Sequence, residues 1–276
     1  MSRRRELEQH LRQLAEIGEI MRSMKNLALM ETRKLARFLD AQGQSVRCIE
    51  DAASDFLSSY PQLAPEPEQA TQAILVIGSE RGFCGDFNEE LLAELTVSPD
   101  RGGPVLGIGH KLCTRLEKHP RSVALHDGPT VAEEVPEILS RLLVEIGTLQ
   151  KRHVHLSVTV LYHRNGDIGL CRKALLPPFV KPKTESPNFA TPPLLNLAPE
   201  RFFAELVEHY LFAALHEILY TSLMAENHQR IEHLEGAIRR LDEKNEALTR
   251  QCRALRQEEI TEEIEVILLS LDGVGS

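Results

Sequence analysis

The chain has 276 residues, 42% of them hydrophobic, and a formal net charge of −9, so it can form a sizeable core, and its acidity argues against a nucleic-acid-binding protein. Its five cysteines show no Cys-x-x-Cys spacing, which excludes a zinc site of the ordinary pattern and indicates reduced thiols. Neither a secretory signal nor an apolar run of the roughly 18 residues that span a bilayer is recognised, so we expect a soluble, cytoplasmic protein, at most docked on a membrane-bound partner.

The first predicted element is one long amphipathic helix over residues 2–56, and residues 1–60 are assigned to this N-terminal segment. Its apolar residues recur at helical spacing. They are Leu7, Leu11, Leu14, Ile17, Met21, Met24, Leu35, Phe38, Val46, Ile49 and Phe56. The prolines of YPQLAPEPEQ then end the helix, because proline cannot continue the hydrogen-bond ladder.

Residues 71–198 are predicted to form a small α/β domain with an extended connector. AILVIGS and PVLGIG are predicted strands, each followed by a helix, NEELLAEL and HKLCTRLEKH. A longer helix covers VAEEVPEILSRLLVEIGTLQ, and two alternating runs, HVHLSVTVLYH and IGLCRKALLP, flank the hairpin signal Asn165-Gly166. Seven prolines from Pro177 to Pro199 mark the connector.

Residues 199–276 are predicted to form a second long helix with a heptad seam. Eight positions alternate steps of three and four: Ile231, Leu234, Ile238, Leu241, Asn245, Leu248, Cys252 and Leu255. The pattern shifts phase and resumes at Ile260, Ile264, Ile267 and Leu271, which is typical of a seam that changes partner. Asn245 occupies a core position, where a polar residue fixes the register; the alternative is that it reaches solvent.

Two long helices at opposite ends of the chain most simply form an antiparallel coiled coil. Residues 1–50 hold ten Lys/Arg and seven Asp/Glu, whereas residues 226–276 hold seven and twelve, so their charges are complementary. The alternative is that each helix pairs with its own copy in a homodimer. The predicted fold class is therefore α/β, a long antiparallel coiled coil of the N- and C-terminal helices with an inserted small, Rossmann-like sheet domain.

The turn SERGFCGDFN, residues 79–88, is the one candidate for a phosphate or thiol site. A Walker A loop requires Lys and Ser or Thr after its last glycine, but Asp86 and Phe87 follow Gly85. Asp86, Glu89 and Glu90 would repel a phosphate, and Asp86 or Asn88 is better interpreted as a helix N-cap. Cys84 has no histidine nearby in the sequence to act as a base, so a structural thiol is favoured over a nucleophile.

Histidine pairs give no stronger site. His153 and His155 share one face of a strand, but no third ligand lies nearby in the sequence. His228 and His233 are five residues apart, which does not place them on one helical face. We therefore predict no catalytic residue, no cofactor and no metal.

Several segments resemble the gamma subunit of the rotary F-type ATP synthases. SERGFCGDFNEELL is similar to the family turn S-[TD]-R-G-L-C-G-G-L-N, and IMRSMKNLALMETRKL to a segment of the first helix. AENHQRIEHLEGA and RALRQEEITEEIEVI resemble two runs of the last helix, and VLGIGHKLCTRLEK and VTVLYHRNGDIGLCRKALLP the stretches between. Order and spacing agree over nearly the whole chain.

The resemblance implies a rotor-shaft subunit without catalytic activity of its own. The terminal helices of this family turn inside a hexameric ring of alpha and beta subunits, while the middle domain touches the epsilon subunit and the membrane c-ring. It implies a bacterial peripheral protein on the cytoplasmic face of the inner membrane that couples proton or sodium movement to ATP synthesis or hydrolysis on the beta subunits. It implies contacts with the beta-subunit side at Met24, Lys25, Arg81, Gly82, Cys84, Gly85, Arg256, Gln257 and Thr261.

Departures from the family pattern, among them the segment EIGEIMRS in place of the usual T-Q-K-I-T-K, indicate a divergent member. Asp86 replaces the second of the paired glycines, and the last helix is unusually acidic. Its acidic residues there are Glu258, Glu259, Glu262, Glu263 and Glu265. The alternative function is a free-standing coiled-coil protein whose α/β domain binds a ligand or partner.

Overall fold

The computed structural model describes residues 3–65, 70–97, 102–153, 155–165, 169–180 and 193–272. The helices are α1 (Arg3–Ser59), α2 (Phe87–Val97), α3 (His110–Leu116), α4 (Val135–Arg152) and α5 (Pro199–Asp272). The strands are β1 (Thr71–Ile77), β2 (Val105–Ile108), β3 (Ser122–His126), β4 (Leu156–Arg164) and β5 (Gly169–Leu176), and 3-10 turns lie at Pro61–Leu63 and Ala132–Glu134. The predicted α/β fold with a long helix at each end is confirmed.

Prolines set the limits of the two long helices. The N–H of Tyr60 still donates to the carbonyl of Phe56, but Pro61 has no N–H to donate, and α1 ends at Ser59. Pro199 is the first residue of α5, where a missing N–H costs nothing. Within the described residues, no helix is both long enough and apolar enough to cross a bilayer.

The chain divides into two compact units, one formed by Met1–Leu27 with Ile231–Ser276 and the other by Ala28–Arg230. Both long helices contribute a segment to each unit. The segments 1–60, 71–198 and 199–276 proposed from the sequence follow the elements along the chain, and as domains they stay a prediction.

In the first unit, α1 and α5 pair in antiparallel fashion. Arg4 Nη1 lies 3.1 Å from Glu259 Oε2, Arg22 Nη2 lies 2.7 Å from Asp242 Oδ1, and Lys25 Nζ lies 3.3 Å from Glu235 Oε1. Residue numbers rise along α1 as their partners' numbers fall along α5. The predicted antiparallel coiled coil is thus formed within one chain.

The seam of α5 lies where the heptad spacing predicts, since its eight positions from Ile231 to Leu255 are buried or half-buried. On α1 the predicted apolar stripe is wrong at Ile17, which is 48% exposed, and Gly18 is buried in its place. Steps of four and three from Leu14 lead to Gly18 and Met21, and a Cβ on Gly18 would lie 3.2 Å from Leu241 Cδ2. Hydrophobicity favours isoleucine, whereas the position that faces Leu241 leaves little room for a side chain.

The second seam segment of α5 is exposed. Ile260, Ile264 and Ile267 lie beyond Glu259, the residue that pairs with the first turn of α1, and their side chains face solvent among the described residues. Leu271 continues this pattern in the sequence, but its side chain lies outside the described residues. The phase shift after Leu255 therefore coincides with the end of the intrachain helix pair.

The second unit contains a five-stranded sheet of order β3-β2-β1-β4-β5. β1, β2, β3 and β4 are parallel, and β5 is antiparallel to β4. The sequence pattern does not predict β3. This edge strand has no fully buried residue and therefore little alternation of apolar and polar side chains.

Alternate residues of β1 face two different cores. Ala73, Leu75 and Ile77 pack with α4 and with residues 35–46 of α1 and 210–223 of α5, whereas Ile74 and Val76 pack with α2 and α3. Leu223 of α5 belongs to the first core and Ala225 to the second. Between these residues, α5 therefore passes from one face of the sheet to the other.

Phe38, predicted as part of the apolar stripe of α1, is exposed, which corrects the prediction. It occupies no seam position, and its ring stacks on Tyr220 with the ring centroids 5.7 Å apart.

The predicted hairpin joins β4 and β5, with Arg164 opposite Gly169. Gly166 of its predicted turn lies outside the described residues, as do residues 181–192 of the predicted connector. The hairpin pairing itself is confirmed by the antiparallel register of the two strands.

Candidate functional site

The turn between β1 and α2, residues 78–86, combines two left-handed residues. Phe83 has φ of 65° and Gly85 has φ of 57°. Asp86 has no positive φ, so it does not need the conformational freedom of the glycine that the family pattern places there. The replacement is therefore compatible with the turn, and the strained position is Phe83, a side chain exposed to solvent.

Of the two residues predicted as the N-cap of α2, Asp86 and Asn88, only Asp86 occupies that position. The carbonyl of Asp86 accepts a hydrogen bond from the N–H of Glu90, so Asp86 stands at the N-cap position by its backbone. Asn88 is not an N-cap. Its side-chain oxygen accepts from the N–H of Ser79 at 3.0 Å, and its Nδ2 donates to Ser79 Oγ at 2.8 Å. Asn88 therefore ties the first turn of α2 to the end of β1.

A carboxylate of α5 binds the backbone of the same turn. The N–H groups of Glu80 and Arg81 donate to Glu226 Oε2 and Oε1, both at 3.1 Å. Arg230, one helical turn further along α5, donates to Glu226 Oε1 through Nη2. The exposed fractions of Glu226 and Arg230 are only 4% and 5%, so this ion pair is buried.

Arg230 is fully engaged by further contacts. Its Nε donates to the carbonyl of Gly82 at 3.2 Å, Nη1 to Asn227 Oδ1 at 3.0 Å and Nη2 to Cys84 Sγ at 3.3 Å. Burial raises the pKa of the Glu226 carboxyl above its ordinary value, while Arg230 and the two backbone amides oppose this rise. All the groups around its two oxygens donate, so the geometry suits the ionised carboxylate.

Cys84 packs against Arg230 of this ion pair, and its surroundings disfavour the reactive thiolate form. Burial raises the pKa of its thiol to about 12, against which the Arg230 charge acts only in part. Sγ faces the carbonyls of Arg81 and Gly82, both at 3.4 Å. A nucleophilic cysteine requires a lowered pKa, so these surroundings support the structural role predicted for Cys84.

A second carboxylate joins three loops at the carboxyl ends of the parallel strands. Glu80 Oε2 accepts from the N–H of His110 at 2.7 Å and of Gly128 at 2.6 Å. Gly109, with φ of 107°, approaches so closely that a Cβ there would lie 2.6 Å from the carbonyl oxygen of Gly78. The loops after β1, β2 and β3 are therefore fixed to one another.

His163, near the end of β4, is a buried residue that the sequence analysis did not single out. Its Nε2 donates to the carbonyl of Phe87 at 2.8 Å, and the two rings are 4.1 Å apart. Burial lowers the pKa of His163, so the neutral ring is favoured. It joins β4 to the first residue of α2.

The histidine pair considered for a metal lies at the opposite end of the sheet. His153 and His155 line an open cleft of about 730 Å³, together with Gln72 and Ser157. Among the described residues, no group of three or more His, Cys, Asp or Glu side chains is placed to hold a metal ion.

The predicted contact residues on the helices differ in exposure. Met24 and Lys25 are half-buried, whereas Arg256, Gln257 and Thr261 are exposed. Thr261 Oγ1 donates to the carbonyl of Gln257 at 2.9 Å, a bond within the helix. The structure brings Arg81, Gly82, Cys84 and Gly85 together in one turn.

Asn245, predicted to set the register, lies half-buried in the seam. Its side-chain oxygen is buried and makes no hydrogen bond within the described residues. This favours the core position over the alternative in which the side chain reaches solvent. Its role in setting the register stays a prediction.

Sequence reasoning missed the residues that hold the turn, namely Glu80, His163, Glu226 and Arg230. Glu226 and Arg230 lie within the quoted segment AENHQR at a spacing of four. That spacing is common on solvated helix faces, so it carries little information about burial. The nearby apolar residues Leu219 and Leu223 were the available signal that this face of α5 is covered.

Sequence comparison identifies relatives of this chain among known proteins. The ATP synthase gamma chain of Desulforamulus reducens is 23% identical over 283 aligned positions, which cover 97% of this chain and 98% of the relative. The ATP synthase gamma chain of Fusobacterium nucleatum is 22% identical over 217 positions, covering 76% and 75%.

Solved structures share the fold. Chains of the Euglena gracilis mitochondrial ATP synthase superpose with TM-scores of 0.69 at 14% identity, for the assembly with OSCP, F1 and the c-ring, and 0.68 at 13% identity, for the rotor. These matches cover 98% and 93% of this chain and 94% and 98% of the Euglena chains. A chain from the central stalk and c-ring of Tetrahymena thermophila gives 0.56 at 15% identity, covering 79% of this chain and 99% of that one.

The family model described as ATP synthase matches residues 3–272, nearly the whole chain. The resemblance found in the sequence is thus confirmed, and this chain belongs to the ATP synthase family and, among its subunits, to the gamma chains.

Proposed function

We propose that this chain is the central rotor subunit of a rotary ATP synthase and couples ion-driven rotation to ATP synthesis or hydrolysis. The observation that carries this proposal is the antiparallel pairing of the terminal helices, from Arg4–Glu259 to Lys25–Glu235. Two helices with an interdigitated seam resist twisting better than a single helix, because each turn packs against its partner. That property suits a shaft.

Catalysis belongs to the beta subunits in this proposal, and the chain itself is not an enzyme. The turn after β1, where a ligand-binding α/β domain would hold its ligand, is filled by Glu226 and Arg230. The raised pKa of Cys84 also argues against covalent chemistry there.

The partners proposed are the hexameric ring of alpha and beta subunits, the epsilon subunit and the membrane c-ring. Chains of similar fold come from assemblies that contain F1, the c-ring and the central stalk, which supports this choice. The protein would lie peripherally at the cytoplasmic face of a bacterial inner membrane, and the coupled ion is a proton or sodium.

The contact residues remain those that the resemblance implies, with different roles for exposed and buried side chains. Exposed residues can meet the beta-subunit side directly; they are Arg81, Gly85, Arg256, Gln257 and Thr261. Buried and half-buried residues would contribute by holding the shape of these segments; they are Gly82, Cys84, Met24 and Lys25.

Assembly and coupling provide the test. The tagged chain, expressed with the other subunits of its synthase, should purify with the alpha and beta subunits. Arg256→Ala with Gln257→Ala should lower ion pumping per ATP hydrolysed in membrane vesicles, because two exposed polar contacts are lost. Arg250→Ala, an exposed change on the same helix, is the control and should leave the ratio unchanged.

Two results would count against the proposal. If the full-length chain purifies without any alpha or beta subunit, the proposed rotor function is wrong. Unchanged coupling in the double variant, with normal assembly, would remove only the role of Arg256 and Gln257.

A further inference from the structure

The carboxyl ends of β1 and β4 form the natural ligand position of this sheet. β1 lies between β2 and β4, and the chain leaves β1 toward β2 but returns to β4 on its other side. In open α/β sheets, ligands bind in the crevice outside the carboxyl ends of the strands at such a switch point. In this chain, the segment Glu226–Arg230 of α5 occupies that crevice.

The donors around Glu226 are those of an oxyanion site. Two successive backbone N–H groups, of Glu80 and Arg81, converge on the two carboxylate oxygens at 3.1 Å. Successive amides of this kind form a concave anion-binding nest. The buried guanidinium of Arg230 adds a positive charge on the same oxygen as Arg81.

The nest is separate from the Glu80 side chain of the same turn. The Glu80 side chain is directed to the N–H groups of His110 and Gly128, at 2.7 and 2.6 Å. It therefore does not compete with Glu226 for the amides of Glu80 and Arg81. Each carboxylate has its own pair of backbone donors.

We propose that the turn after β1 is an oxyanion-binding site whose resident ligand is the chain's own Glu226 carboxylate. The contact that would hold a free anion in a ligand-binding domain instead fastens α5 to the sheet. While Glu226 is present, its charge and volume exclude a second anion. Without it, the two amides and Arg230 form a vacant site for a small tetrahedral anion. The inference does not depend on the proposed function.

The test uses inorganic phosphate as the probe and three full-length proteins: the natural chain, Glu226→Ala, and Glu226→Ala with Arg230→Met. Sodium chloride of matched ionic strength is the control at neutral pH. Phosphate should slow amide hydrogen exchange at residues 80 and 81 only in Glu226→Ala. At about ten times the dissociation constant the slowing should be about tenfold, since only the folded site binds.

The Arg230→Met change distinguishes a built site from a general salt effect. The double variant should lose most of the protection, because the guanidinium supplies the cation. Equal protection by phosphate in all three proteins, or none in Glu226→Ala, would overturn the proposal. If Glu226→Ala is unfolded in chloride, phosphate should restore its helical circular dichroism. Failure to restore it, while the isosteric Glu226→Gln is folded, would also overturn the proposal.

Discussion

Replacing Arg230 by methionine removes a buried guanidinium while keeping a side chain of similar length. The change deletes hydrogen bonds from Arg230 to Gly82 O, Asn227 Oδ1 and Cys84 Sγ, at 3.2, 3.0 and 3.3 Å. It also leaves the Glu226 carboxylate, 4% exposed, without its cation. Stability should fall because the remaining charge is buried and unpaired.

The size of the loss in unfolding free energy can be estimated from these contacts. Removing one partner of a buried ion pair costs about 3–5 kcal/mol. Glu226 keeps the amides of Glu80 and Arg81, so we expect the lower end, about 3 kcal/mol. Glu226→Gln with Arg230→Met removes both charges and loses only hydrogen bonds, so its cost should be about 1–2 kcal/mol.

The loss should also depend on pH. The folded-state pKa of Glu226 is raised above its ordinary value of 4.5, so its contribution to stability is complete below that value and declines as pH rises through the folded-state pKa. Removing Arg230 raises this pKa further, which deepens the decline. The difference between Arg230→Met and the natural chain should therefore be smaller at about pH 5 than at neutral pH.

Tyrosine fluorescence during urea unfolding selectively reports on the unit Ala28–Arg230, which contains the substituted residue. The chain has no tryptophan, and its four tyrosines, at positions 60, 162, 210 and 220, all lie within Ala28–Arg230. Arg115→Met is the matched control, because Arg115 Nη2 pairs with Glu89 Oε1 at 2.9 Å with both side chains exposed. It should cost about 0–1 kcal/mol. The reasoning is refuted if Arg230→Met behaves like this control, or if the double variant is as unstable as the single one.

Two further predictions concern the coiled coil and the cysteines. Asn245→Leu should raise the stability of the helix pair by about 1–3 kcal/mol, because a buried oxygen without a hydrogen bond is removed; a lower melting temperature by circular dichroism would contradict this. In the folded chain at neutral pH, exposed Cys48 should react with iodoacetamide much faster than Cys84, whose pKa of about 12 leaves almost no thiolate. Mass spectrometry measures the labelling of each cysteine. Equal labelling of Cys48 and Cys84 would show that the turn does not bury Cys84.

Regular periodicity was the most reliable guide to the fold. The steps of three and four from Leu234 through Leu241 located the seam of α5, because a heptad pattern fixes which face is covered. The same spacing on α1 selects Gly18, but an apolar scale prefers the adjacent Ile17. Spacing proved the better criterion because a helix interface can require a small residue.

Features without periodicity were not predictable. β3 is a half-buried edge strand, so its residues carry no clear alternation. The Glu226–Arg230 pair has the spacing of an ordinary surface ion pair, and only the path of α5 over the sheet edge buries it. The turn after β1 was located from its sequence, but the occupant of its amides comes from a residue 146 positions away from Glu80.

The helix pair of the first unit also has a consequence for synthesis on the ribosome. Arg22 and Asp242 are 220 positions apart, and Glu8 and Cys252 are 244 apart. At about 5–20 residues per second, the partner of Arg22 is translated roughly 10–45 s after Arg22 itself. During this interval the strands of the sheet are already synthesised, but the apolar seam of α1 has nothing to pack against. The nascent N-terminal helix is thus the segment that a chaperone would have to shield, and the closing of the two helices is a late event in the maturation of the chain.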